Sequence, residues 1–77
     1  MKLTILSPDN EHARRLEALL RAVVEKNHLD ADIEQIRDRN EIERWPMSQF
    51  PGLARDGKLL MYGRIPTCEE LEYLLTR

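Results

Sequence analysis

The pair Asp56-Gly57, set between Leu53-Ala54-Arg55 and Lys58-Leu59-Leu60-Met61-Tyr62, constrains this chain more than any other stretch. A type I′ turn needs positive φ at both central residues, which Asp-Gly tolerates, so the flanking runs are committed to an antiparallel hairpin. Just upstream stands Phe50-Pro51-Gly52-Leu53. Pro51 has no N–H and a fixed φ, so it can open a strand only where no ladder donor is needed. Gly52 then permits close approach to the backbone. This point divides a polar, helical half from a hydrophobic strand pair.

A chain of 77 residues is one domain, 1–77, and its 42% hydrophobic fraction supports one small core. With 12 basic against 14 acidic residues and a formal charge of -2, no net field exists to hold a polyanion, so nucleic acid is not expected as a partner. The single cysteine excludes an internal disulfide framework and a cysteine-rich zinc site. Met1 to Ile5 is too short for a signal peptide, and no apolar run approaches the roughly 18 residues of a membrane span. The cytoplasm is the expected compartment, with no membrane partner.

Lys2 to Leu6 reads as a short strand with one or both faces covered. Ser7 as N-cap, Pro8 at the first helical position and acidic Asp9 and Glu11 predict a helix start. Leu16, Leu19, Leu20, Val23 and Val24 recur at helical spacing, opposite Arg14, Arg15, Glu17, Arg21 and Glu25, and Asn27 and His28 close the helix. Ala31 to Ile36 alternates weakly around Ile33 and predicts a second, polar strand at a sheet edge. Asp38 to Glu41 is an acidic capping box before Ile42 and Trp45, a short helix that Pro46 terminates. Thr67-Cys68-Glu69-Glu70 is a second capping box, and Leu71, Leu74 and Leu75 give the stripe of a last helix.

The expected order is β-α-β-α-β-β-α: an α/β fold with a four-stranded mixed sheet, the first two strands parallel and the hairpin antiparallel to them. In this order, and in Phe50-Pro51-Gly52-Leu53, Asp56-Gly57-Lys58-Leu59 and Gly63-Arg64-Ile65-Pro66, the chain resembles the small thioredoxin-like redox-active disulfide proteins. The resemblance implies a thioredoxin-like fold over nearly the whole chain. In that family the proline before the third strand is cis and borders the redox site, which puts that proline at Pro51. The family's Cys-x-x-Cys falls on Asn10-Glu11-His12-Ala13, and neither cysteine is present. Dithiol exchange needs one thiol to attack and another to resolve the mixed disulfide. The resemblance therefore carries a fold and a place, a groove formed by Asn10, Glu11, His12, Ala13, Phe50, Pro51 and Gly52, without the dithiol activity.

Other residues invite sharper readings. His12 near a helix start is a candidate acid/base group, but no serine or cysteine partner is identifiable and surface capping accounts for it. His28 at the other end of that helix is read as structural, and the two histidines make a poor metal site, so neither a metal nor a cofactor is expected. Trp45 is read as packing of the short helix, and the Arg14-Arg15, Arg37-Arg39 and Arg44 groups as solvated faces among interleaved acids.

Cys68 is the one candidate thiol. It stands in the first turn of the last helix, where N–H groups and the dipole favour a thiolate while Glu69 and Glu70 oppose it. The expected topology sets this turn at the same end of the sheet as Asn10 and Pro51. Glutaredoxins, a related family, bind the carboxylate of glutathione at the start of the corresponding helix, which makes Arg64, Thr67 and Cys68 a candidate anion-binding group. The bland alternative is a small buried hydrophobe. Two function classes follow: a binding or accessory module of thiol metabolism that takes a protein, an extended peptide or a small thiol such as glutathione beside Pro51, or a monothiol redox protein, glutaredoxin-like or peroxide-sensing, using Cys68.

Overall fold

The computed structural model describes residues 1–77. Its elements are β1 (Lys2–Leu6), α1 (Asn10–Lys26), β2 (Asp32–Ile36), α2 (Arg39–Ile42), β3 (Gly52–Arg55), β4 (Lys58–Tyr62) and α3 (Cys68–Thr76). The sheet order is β2-β1-β3-β4, with β1 parallel to β2 and antiparallel to β3, and β4 antiparallel to β3. Burial on both faces from Leu3 to Leu6 fits β1 as an inner strand, and polar β2 stands at an edge as its pattern requires.

Alternation along the strands sends side chains to two faces. Leu3, Ile5 and Leu53 meet Ala13, Leu16, Leu20 and Val23 of α1 and Leu71 and Leu75 of α3 on one face. Leu6 and Ala54 meet Ile42, with Trp45 and Met47 packed against them, on the other. Two helices thus cover the first face and the short α2 segment the second. No helix is long and apolar enough to cross a membrane.

The start of α1 differs from expectation. Asp9, not Ser7, is the N-cap, and its carboxylate accepts from the N–H groups of Glu11 and His12. Ser7 is instead fully buried: its N–H donates to the Ile36 carbonyl at 3.1 Å and its hydroxyl is bonded to the Asp9 backbone. A carboxylate serving two donors outcompetes a hydroxyl serving one. The other end stops as read. His28 takes φ 53, its N–H donates to the Glu25 carbonyl and that of Leu29 to the Val24 carbonyl, a Schellman arrangement that satisfies the last turn.

Asp38 caps α2, but that helix is only four residues long, and Trp45 packs from beyond it. The hairpin turn has φ 51 at Asp56 and 84 at Gly57, both positive as a type I′ turn demands. It is pinned to the start of β1, since the Lys2 N–H donates to Asp56 Oδ1 at 2.8 Å and the Asp56 N–H to the Lys2 carbonyl at 2.8 Å. β4 carries a bulge: Leu53 pairs with Met61 and Ala54 with Leu59, leaving Leu60 without an opposite residue. The bulge turns Leu60 and Met61 toward the same face, that of α1 and α3.

Candidate functional site

The register of β1 against β3 builds the site. Leu6 lies opposite Gly52, so the turn leading into α1 and the residues preceding β3 occur at one end of the sheet. There the Phe50–Pro51 peptide bond is cis. Pro51 is buried and its carbonyl accepts from the Gly63 N–H at 2.9 Å, whereas Phe50 is 41% exposed. The backbone N–H and C=O of Phe50 have no backbone partner within the chain. Both remain available to an extended ligand. The Arg39 guanidinium stands 5.6 Å from the Phe50 ring centroid, and no carboxylate pairs with it.

The expected close approach at Gly52 is made by the protein itself. A Cβ there would fall 2.7 Å from Met47 Sδ, so the methionine fills the space that glycine leaves. Ala13 also turns inward and is a core residue at 3% exposure, while Asn10, Glu11 and His12 are exposed. The molecule's two surface hollows lie elsewhere, one along α1 and one between β4 and α3. Beside the buried Pro51 the exposed surface is that of Phe50.

At the head of α1, one Asp9 oxygen takes the N–H groups of Glu11 at 2.7 Å and His12 at 3.2 Å, and the other is paired with His12 Nδ1. The imidazole of His12, with help from these N–H groups, holds the Asp9 carboxyl below the usual carboxylate range. Asp9 thereby fixes the ring and leaves Nε2 as the free nitrogen. The neighbouring hydroxyl, Ser7, is buried and engaged, so the pair has no nucleophile beside it there. The Asp-x-x-His spacing was readable as neighbours on a helical turn. The Arg39–Phe50 stack, between residues eleven positions apart in a loop-rich stretch, left no such signal.

The candidate anion-binding group at α3 is occupied from within. Glu70 receives Arg64 Nη1 at 2.8 Å and Nη2 at 2.5 Å, and its Oε1 also accepts the Thr67 N–H at 3.1 Å. Thr67 Oγ1 returns the bond from the Glu70 N–H, completing the capping box. Arg64, with the Thr67 N–H, pushes the Glu70 carboxyl down to about 2. An external carboxylate would have to displace this one.

Cys68 is exposed, so it is not core packing. It lies one helical turn before Glu72, whose carboxylate is bonded to Lys26 at 2.8 Å and to Asn27 at 3.5 Å. Lys26 and Asn27 belong to the last turn and cap of α1, whereas Asn10 and His12 belong to its first. Glu72 thereby ties α3, one turn beyond the thiol, to the last turn of α1. No cluster of three or more His, Cys, Asp or Glu side chains is placed to hold a metal ion.

Against known proteins, the family described as Thioredoxin domain matches residues 1–76. A thioredoxin of Methanothermobacter thermautotrophicus is 32% identical over 76 residues, covering 99% of this chain and 99% of the relative. A thioredoxin of Methanocaldococcus jannaschii is 36% identical over 53 residues, covering 69% of this chain and 60% of the relative.

Proposed function

The chain belongs to the thioredoxin family, and from that premise we propose that it acts as a non-catalytic binding or accessory module of thiol metabolism. Its ligand is an extended peptide or a small thiol compound laid against the backbone before Pro51. The observation that carries the reading is Phe50, exposed and with both backbone groups unpaired, in a chain whose single cysteine leaves no Cys-x-x-Cys and where, by the resemblance, Asn10 and Ala13 stand in for the two thiols. An extended segment can add to such a backbone as a strand adds to a sheet edge. The adjoining Phe50 ring offers apolar area and the Arg39 guanidinium a charge.

Chemical-shift mapping tests this with a panel of extended peptides and with reduced glutathione. The expected perturbations fall on Ser7 to His12 and Ser48 to Gly52. Perturbations confined to the Asp56-Gly57 turn contradict it.

The exposure of Cys68 supports a second reading, a monothiol redox protein. Its thiolate would attack the disulfide of oxidised glutathione, forming a mixed disulfide and releasing one reduced glutathione. Intact mass after incubation with oxidised glutathione tests this reading, and an unmodified mass excludes it.

A further inference from the structure

The open edge of β4 and the adjoining face of α3 form a surface that neither reading uses. β4 is the last strand of the sheet, so one side of its backbone has no neighbour. The bulge at Leu60 sets Leu60 and Met61 on the α3 side, and with Leu74 and Tyr73 they line a hollow whose far wall carries Glu69 and Glu70. Tyr73 is 61% exposed, the most exposed large apolar side chain of the chain. An apolar strip of this kind on a sheet edge calls for a partner.

Its charges say which partner. Arg55 lies opposite Lys58 in the ladder and reaches the Leu74 carbonyl at 3.1 Å, so the start of β4 adjoins the end of α3. The two elements run in opposite directions. Lys58, on the α3 side like Arg55, marks one end of the strip, and Glu69, in the first turn of α3, marks the other. Neither forms an ion pair within the chain, whereas Glu70 is already held by Arg64. A base at one end, an acid at the other and an apolar centre form a pattern that becomes self-complementary when rotated by a half turn. That is the requirement for an isologous two-fold interface.

We propose that this surface binds a second copy of the chain, β4 against β4 in antiparallel sense, with Lys58 of each copy meeting Glu69 of the other. The bulge interrupts the edge ladder, so the contact is made by Leu60, Met61, Tyr73 and Leu74 packing across the axis more than by an extended sheet. The interface is separate from Phe50 and leaves that face accessible.

Sedimentation equilibrium of the full chain across micromolar to millimolar concentration tests the proposal. The wild type is expected to show a monomer–dimer equilibrium that weakens with added salt. Lys58→Glu and Glu69→Lys, both at exposed positions, should each weaken the dimer about tenfold, because each places two like-charge pairs across the axis. The double variant should recover most of that loss, and Tyr73→Ala should weaken the dimer while the chain still melts cooperatively at concentrations where it is monomeric. A wild type that stays monomeric to millimolar concentration overturns the proposal. So does a dimer indifferent to both charge reversals, or a strip that binds added extended peptides while the chain remains monomeric.

Discussion

Glu70 holds Arg64 through two side-by-side hydrogen bonds while also accepting the Thr67 N–H, so one carboxylate closes the loop before α3 and caps the helix. Because Arg64 and Thr67 favour the ionised form, the folded carboxyl is pushed down to about 2, below its ordinary value of 4.5. An unfolded chain binds this proton first, so the contribution to stability is complete above the ordinary value and is lost as pH falls from about 4.5 towards about 2. Glu70→Gln should therefore reduce stability at neutral pH and make the acid limb shallower. Asp9 and Glu72, also lowered, should leave it sloping. Chemical denaturation from pH 2 to 7 checks this, and an acid limb unchanged by the substitution contradicts it.

Gly57 offers a cleaner backbone test, since nothing lies within 4 Å of where its Cβ would be and only its φ of 84 opposes a side chain. Gly57→Ala should cost about 1–2 kcal/mol, the penalty of a left-handed residue. Gly57→Asn should cost less, because asparagine tolerates that region. Equal losses for the two variants in urea melts would show that the turn is not set by backbone conformation.

Cys68 is exposed at the first position of α3. A maleimide should label it completely in the folded protein, without the unfolding that a buried thiol would require, and the labelled protein should keep its cooperative melt. Labelling that proceeds only in denaturant would place the thiol in the core after all.

Much of the fold was legible because its punctuation is local. Asp56-Gly57 admits one hairpin, Thr67 with Glu70 one helix start, and the leucine spacing of α1 one buried face. What stayed illegible depends on competition or on tertiary contact. Ser7 and Asp9 are both competent caps on either side of Pro8, and only burial of Ser7 against the Ile36 carbonyl decides between them. Leu59-Leu60-Met61 has no alternation, so the bulge that turns Leu60 and Met61 to one face left no mark in the sequence. The capping box told that Glu70 reaches back to Thr67, but Arg64 joins it across a loop with no helical spacing to announce it. The Pro51 end of the site was legible from resemblance, whereas the inward turn of Ala13 and the plugging of Gly52 by Met47 arise from packing.

The most direct measurement is insulin reduction by dithiothreitol, run on the wild type beside the double variant Asn10→Cys/Ala13→Cys. Asn10 opens α1 and Ala13 lies one turn on, small and inward, so both positions can take a cysteine without rebuilding the core. The expected result is a wild-type trace that matches dithiothreitol alone and a double variant that accelerates precipitation, because the restored thiols attack and resolve the mixed disulfide. Acceleration by the wild type would contradict the account, since a chain whose only cysteine is Cys68 would then be reducing disulfides.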